Sequence, residues 1–380
     1  MQHVEYQSIV EKENIEYQIV MSHALDIIPG TEWGFFTLPR PMCIAGPCSA
    51  ESEGQVMETA RGLNEFGIHV YRAGIWKPRT HPGSFEGVGT PGLKWLKKVK
   101  EAYGMKVCTE VASEKHVLEC IKYGVDMVWI GARTSANPFL MQEIADALEG
   151  TDMPVLVKNP VNPDIDLWIG ALERLNRAGL RKLGVIHRGF STQDSIPYRN
   201  DPSWNMAMKL RSLYPQMAFF ADPSHMAGDR KYLHELSQKA MDLGLDGLMI
   251  ESHCNPDIAM SDSKQQLTPV ALKDLLEKLV IRDNPVDDSY KEGLDALRAR
   301  IDIIDDNLLK LLSERNRVSR SIGEFKRSHS MEVVQQGRWD ALLSDMMARA
   351  TRMGVSQATV KAIMEAIHKE SVNVQNGIVE

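Results

Sequence analysis

Cys48, His225, Glu251 and Asp262 are residues of the types that bind divalent metals, and each lies at or just past the end of a short apolar run. A mixed thiolate, imidazole and two-carboxylate set suits Mn²⁺, Fe²⁺, Co²⁺ or Zn²⁺ better than Mg²⁺ or Ca²⁺, because hard ions rarely take sulfur. Mn²⁺ is the first expectation among the four. His253 and Cys254 rank below Glu251 as ligands, because adjacent residues of a strand point to opposite sides. A second set, Arg72, Lys77, Arg79, Arg133, Lys158 and Arg188, falls in the last residues of similar runs or in the loops directly after them. Lys158 and Arg188 close otherwise apolar runs, where a cation is costly unless an anion or carboxylate compensates it. Singly, each of these residues reads as a packed core group or an ordinary surface charge. Together at run ends they point to an anion-binding site beside a metal.

The runs that must position them are short, rich in β-branched residues and regularly spaced. They cover residues 42–47, 69–74, 106–111, 127–132, 154–160, 184–189, 217–225 and 247–253. Between them lie segments of helical period, such as SEGQVMETARGLNEFG, SEKHVLECIKYG and DRKYLHELSQKAMDLG, each opened by a capping residue and closed by glycine. Strand and helix alternating in this way predict a (β/α)8 barrel of the α/β class, whose chemistry sits at the C-terminal strand ends.

The chain has 380 residues, 43% of them hydrophobic, enough for one large and one small domain. Apolar stretches are too short to span a bilayer, and the first twenty residues lack the basic-then-apolar order of a signal peptide, so the expected location is cytoplasmic, with no membrane partner. Five cysteines without secretory marks favour free thiols and a metal ligand over a disulfide framework. A formal net charge of -7 argues against a nucleic-acid partner and for small-molecule substrates at a local basic cluster.

The motifs AGPCS (45–49), YRAG (71–74), KPRT (77–80), WIGART (129–134), LVK (156–158), HRG (187–189), DPSH (222–225), ES (251–252) and SD (261–262) resemble, in order over residues 41–280, the 3-deoxy-D-arabino-heptulosonate-7-phosphate (DAHP) synthases of the short type I subclass. The resemblance implies condensation of phosphoenolpyruvate with erythrose 4-phosphate, the first step of the shikimate pathway, in a metal-dependent barrel. It implies Cys48, His225, Glu251 and Asp262 as metal ligands, and Arg72, Arg133, Lys158 and Arg188 as the phosphoenolpyruvate site. Arg79 and Thr80 would receive the aldose phosphate, and Lys77 is the candidate proton donor to the developing alkoxide. The sequence departs from the family pattern at Lys158-Asn159-Pro160 and His187-Arg188-Gly189, where Lys-Arg-Gly and Glu-Arg-Gly are expected. The alternative is a related phosphoenolpyruvate aldolase that makes an eight- or nine-carbon sugar acid; KPRT followed by HPGSF disfavours it, since in this resemblance KPRT marks the erythrose 4-phosphate site.

After the polar, Pro-containing stretch 281–290 the pattern changes. Leu294, Leu297, Ile301, Ile304, Leu308, Leu311, Arg315, Val318, Ile322 and Phe325 alternate three- and four-residue steps, the seam of a long helix packed against other helices. Arg315 and Lys326, eleven residues apart, lie only ~20° apart around such a helix, whereas Arg298 is rotated away. Ser371 and Gln375 are spaced i, i+4 on a helix whose inward positions Val360, Met364 and Ile367 are apolar. Cations and polar groups in a helical core suit a small dicarboxylate. The segments LRARIDIIDDNLLKLLSERNRVSRSIGEFK and HKESVNVQ, within about residues 291–376, resemble the all-helical chorismate mutases. That resemblance implies an intertwined homodimer rearranging chorismate to prephenate, with Arg315, Lys326, Arg338, Ser371 and Gln375 lining one pocket and Arg298 entering from the partner chain. Gln375 or Lys326 would donate to the ether oxygen. Gln335 and Trp339 stand where acidic side chains are expected, which opens the alternative of a dimerising module that binds chorismate or prephenate chiefly to regulate the barrel. The expected organisation is an extension (1–40), the barrel (41–282), a linker (283–290) and the helical domain (291–380).

Overall fold

The computed structural model describes residues 25–36, 40–77, 83–192, 196–281, 289–333 and 336–377. Arg79 and Thr80, Gln335 and most of the expected extension and linker lie outside the described residues. The chain divides into two units, Met1–Ala296 and Leu297–Glu380.

The first unit is the predicted barrel. Its strands are β1 (Met42–Gly46), β2 (Val70–Arg72), β3 (Lys106–Val111), β4 (Met127–Ile130), β5 (Val155–Lys158), β6 (Leu183–His187), β7 (Ala218–Ala221) and β8 (Gly247–Glu251). All neighbours are parallel, and β1 pairs with β8 to close the sheet. The helices, in chain order, are α1 (Glu53–Glu65), α2 (Pro91–Tyr103), α3 (Glu114–Lys122), α4 (Ala132–Ser135), α5 (Pro138–Leu148), α6 (Ile165–Arg177), α7 (Trp204–Leu213), α8 (Pro223–Ala227), α9 (Leu233–Asp242) and α10 (Pro269–Glu277). Ser52 and Ser113 cap α1 and α3 by accepting from Gln55 N and His116 N, as the sequence pattern predicts. Asp229 caps instead a 3-10 turn, Arg230–Tyr232, so that α9 begins at Leu233.

The strands are shorter than the apolar runs, whose ends pass into loops that still bond to their neighbours, as Ala73 N does to Cys108 O at 3.2 Å and Asn159 N to Ile186 O at 3.1 Å. Their period of two decides what faces inward. Met42, Ile44, Val70, Cys108, Met127, Trp129, Leu156, Ile186, Ala218, Phe220 and Met249 form one buried cluster filling the barrel, closed at the N-terminal end by Trp33. Two residues further along the same parity come Arg72, Glu110, Lys158, Arg188, Asp222 and Glu251. The charged ring is therefore the next layer above an apolar plug. An apolar cavity of about 280 Å³, lined by Phe35, Met42, Phe66, Val70 and Leu272 among others, lies at the opposite, N-terminal end of β1 and β2.

The second unit consists of α11 (Ser289–Ser328, which begins in the first unit), α12 (Gln336–Arg352) and α13 (Gln357–Asn376). Among the described residues its buried apolar side chains are Ile303, Ala350 and Val374. Among the described residues of the predicted seam, Ile301 and Ile304 are each 57% exposed, Leu311 62% and Phe325 58%. The two other helices of the unit, α12 and α13, leave much of the apolar stripe of this 40-residue helix exposed. None of the described helices is long and apolar enough to cross a membrane.

Candidate active site

Cys48 reaches the barrel mouth because β1 ends at Gly46, whose φ of 149° and close approach to the Arg72 carbonyl, which a Cβ would meet at 2.0 Å, exclude any side chain. Glu251 is the last residue of β8 and fully buried. Asp262 sits in a loop with φ 46°, a conformation aspartate tolerates better than most residues. His225 is not at a strand end but in α8, whose first turn is set by Pro223 and by Asp222 accepting from His225 N at 3.0 Å. Ligating atoms of Cys48, Glu251 and Asp262 all lie within 4.8 Å of one another. The Cys48 thiol donates to Asp262 Oδ2 at 3.3 Å, and His225 Nε2 stands 3.7 Å from Glu251 Oε1. The fold thus gathers three of the four predicted ligands into one cluster and sets His225 beside Glu251. His253 turns away: β8 has ended, strand alternation no longer applies, and its Nδ1 accepts from Asn255 N at 2.9 Å.

The charges of this mouth hold one another. Burial, aided by Glu251, pushes the Cys48 thiol up to about 12, so a metal binding there must displace a proton. Burial also opposes the Asp262 carboxylate, but His225, Arg199 and the hydrogen bond from Cys48 outweigh it and hold that carboxyl below the usual range. A soft thiolate and two oxyanions in one cluster, with an imidazole beside Glu251, fit a first-row divalent ion.

Facing the cluster are four of the predicted cations. Arg72 is 1% exposed; its Nη2 donates to Glu251 Oε1 at 3.3 Å, and the guanidinium lies 4.8 Å from the centre of the Trp129 ring. Its Nε and Nη1 are buried and find no partner among the described residues. Such orphaned donors are rare and call for a ligand. Lys77 Nζ donates to Cys48 Sγ at 3.1 Å. Lys158 is buried against Asp222 Oδ2 at 2.7 Å. Arg188 is half-buried, donates to Asn200 Oδ1 at 3.0 Å, and is lowered to about 10 by burial. Arg133 is exposed on α4, near enough to depress Arg188 further.

Three residues escaped sequence reasoning. Asp222 Oδ2 lies 2.7 Å from both Lys158 Nζ and His225 Nδ1, the latter contact close but poorly aligned. It therefore orients an imidazole and neutralises an ammonium at once. Its place in DPSH, three residues before the histidine, was a usable signal. Asn159, fully buried, accepts from Arg188 N at 2.7 Å and donates to Gly189 O at 2.8 Å, strapping the loop that carries Arg188. Arg199 donates to Asp262 Oδ1 at 3.1 Å. His187, of opposite strand parity to Arg188, points outward among Trp168, Phe190 and Trp204 and donates from Nε2 to Pro202 O. Burial lowers it to about 4, and it takes no part in the mouth.

In the helical unit, Arg315 donates to Ser371 Oγ, which in turn donates to Ile367 O at 2.8 Å. Gly323 lets α11 approach α13, since a Cβ there would meet Gln375 Cα at 2.8 Å. Gln375 Oε1 is buried and without a hydrogen-bond partner among the described residues. Lys326 donates to Val333 O at 2.6 Å. Arg298 and Arg338 are exposed, and Trp339 stacks on His368 with ring centroids 4.1 Å apart.

The model of the DAHP synthetase I family matches residues 38–284, and that of chorismate mutase type II matches residues 297–376. Phospho-2-dehydro-3-deoxyheptonate aldolase of Thermotoga maritima is 34% identical over 246 residues, 65% of this chain and 69% of that one. Its crystal structure superposes with a TM-score of 0.57 at 33% identity, covering 64% of this chain and 68% of that chain. A 2-dehydro-3-deoxyphosphooctonate aldolase of Francisella tularensis subsp. holarctica is 29% identical over 271 residues, 66% of this chain and 94% of that one. The chain belongs to the DAHP synthetase I family and, with a type II chorismate mutase domain after its barrel, is a bifunctional enzyme.

Proposed function

We propose that the barrel condenses phosphoenolpyruvate with erythrose 4-phosphate to DAHP and phosphate, with a divalent metal held by Cys48, His225, Glu251 and Asp262. The observation that carries this reading is the buried Arg72, with two guanidinium nitrogens unsatisfied among the described residues, beside a three-ligand cluster at the same mouth. Arg72, Lys158, Arg188 and Arg133 hold phosphoenolpyruvate, whose phosphate and carboxylate need several fixed cations to offset their repulsion. Arg79 and Thr80 take the aldose phosphate. A bound metal, Mn²⁺ first among Mn²⁺, Fe²⁺, Co²⁺ and Zn²⁺, supplies a Lewis acid for the aldehyde oxygen. C3 of phosphoenolpyruvate then attacks the carbonyl carbon. Lys77, whose ammonium stands 3.1 Å from Cys48 Sγ, donates to the developing alkoxide. Water adding at C2 completes release of phosphate. Cys48→Ala abolishes metal-dependent product formation on this reading; normal activity of that variant in metal-free buffer refutes it.

The helical domain rearranges chorismate to prephenate in a cytoplasmic homodimer. The exposed stripe from Ile301 to Phe325 is the surface a second copy covers, and Arg315, Lys326, Arg338, Ser371 and Gln375 form a pocket completed by Arg298 of the other copy. Arg315 and Ser371 already meet, and the unpartnered Gln375 amide oxygen lies on the same helix as Ser371. Rate enhancement comes from orientation and placed charge, with Gln375 or Lys326 donating to the ether oxygen. Prephenate acts as feedback effector of the synthase. Arg315→Ala destroys mutase turnover if the domain is catalytic and alters only feedback if it is a sensor. Equal synthase rates with and without saturating prephenate remove the feedback reading.

A further inference from the structure

The loop after Asp262 carries two consecutive glutamines, Gln265 and Gln266, that are 2% and 0% exposed. Their register is set by Leu267, which pairs with Ser252 beyond the end of β8: Leu267 N donates to Glu251 O at 3.0 Å and His253 N donates to Leu267 O at 2.8 Å. The two side chains reach different parts of the ligand cluster. Gln265 Nε2 donates to Glu251 Oε2 at 2.7 Å, while its Oε1 accepts from Arg199 Nη1 at 3.1 Å, the same nitrogen that donates to Asp262 Oδ1. Gln266 Oε1 accepts from Cys48 N at 2.9 Å, and its Nε2 donates to Ser261 O at 2.8 Å. Ser49 and Ser261 are also hydrogen-bonded through their hydroxyls, so the Cys48 and Asp262 loops touch at two points.

We propose that Gln265 and Gln266 are positioning residues that set the geometry of the metal-binding cluster. The inference rests on the reading of Cys48, His225, Glu251 and Asp262 as metal ligands. Gln265 engages one oxygen of Glu251, which leaves Oε1 as the atom turned toward His225 and Arg72. Through Arg199 it also steadies Asp262. Gln266 ties the backbone of the first ligand to the backbone preceding the fourth, two segments more than 200 residues apart in the chain. An amide suits both tasks, because each side chain must accept on one side and donate on the other. A carboxylate or an apolar residue of the same shape supplies at most one of the two. Removing outer groups that orient metal ligands typically weakens binding about 10- to 100-fold.

The test uses the full-length chain, stripped of metal and titrated with Co²⁺, whose thiolate-to-metal absorption reports Cys48 directly. Wild type is expected to show the band, and Cys48→Ala to lose it. Gln265→Met and Gln266→Met should each raise the Co²⁺ dissociation constant about 10- to 100-fold, while the metal-free proteins unfold within a few degrees of wild type. If a methionine variant fails to fold, Gln265→Asn and Gln266→Asn keep the amide one methylene too short to span the gap and should show the same weakening. Wild-type affinity, within twofold, in the folded variants overturns the positioning role while leaving the metal reading intact. Absence of a Cys48-dependent band in wild type overturns both.

Discussion

Replacing Asp222 by asparagine removes one charge from a buried set of three groups and is expected to act on stability and on metal binding through different partners. The Asp222 carboxylate is 0% exposed; one oxygen contacts Lys158 Nζ and His225 Nδ1, and the other accepts from His225 N. An amide has one acceptor oxygen. If that oxygen faces Lys158, the amide NH2 opposes the His225 backbone N–H; if it faces the backbone, the NH2 opposes an ammonium. Either way a donor meets a donor and Lys158, itself 4% exposed, keeps a charge without its counter-ion. Breaking a buried pair from one side costs about 3–5 kcal/mol. At roughly 2–4 °C per kcal/mol for a unit of this size, the metal-free Asp222→Asn protein should melt roughly 6–20 °C below wild type. Adding Lys158→Met removes the stranded charge, so the double variant should recover most of that loss. It should not recover metal affinity, because His225 still lacks its orienting carboxylate, and a Co²⁺ dissociation constant raised about 10- to 100-fold should persist. Thermal melts of the four metal-free proteins and Co²⁺ titrations of the same set read the two effects separately. A single variant that melts within 2 °C of wild type, or a double variant no more stable than Asp222→Asn, would falsify the argument.

His187 makes stability fall with acid. It stays neutral in the folded protein down to about 4, whereas in the unfolded chain it protonates below about 6.5, so its contribution is present above that value and lost as the pH drops toward 4. The loss amounts to about 2 kcal/mol at pH 5 relative to pH 7.5, and His187→Gln, which keeps a donor for Pro202 O, should lack that portion of the acid sensitivity in denaturant melts. Equal pH slopes for both proteins would count against a buried neutral imidazole. Asn159→Ala deletes hydrogen bonds to Arg188 N and Gly189 O. It should raise the KM for phosphoenolpyruvate about tenfold, equivalent to ~1.4 kcal/mol, with the KM for erythrose 4-phosphate little changed. A parallel rise in both constants would mean that the strap supports the whole mouth rather than Arg188.

Much of this protein was legible before its fold was known. The period-two alternation of the apolar runs places Arg72, Lys158 and Glu251 on the same parity as Val70, Leu156 and Met249, so a closed parallel sheet must stack the charged layer on the apolar one. Nearest-neighbour steric rules and backbone pleating suffice for that, which is why strand identity and barrel closure could be reached from residue order alone. The same rules apply to Ser52 and Ser113, whose caps are made within a few residues. The tertiary structure alone decided which polar side chains hold the site. Asp222 joins Lys158 across 64 residues, Gln266 joins Cys48 across 218 and Gln265 joins Arg199 across 66. No periodicity encodes such pairings, because a glutamine's partner is whatever donor or acceptor the loops of other strands bring within about 3 Å. It also decided that His225 sits on a helical turn rather than a strand, that His187 points away from the mouth, and that much of the stripe on α11 is left exposed. Local sequence sets which face of an element is apolar. How much of that face is covered, and which buried polar atoms find partners, depends on surfaces that meet only when the whole chain has folded.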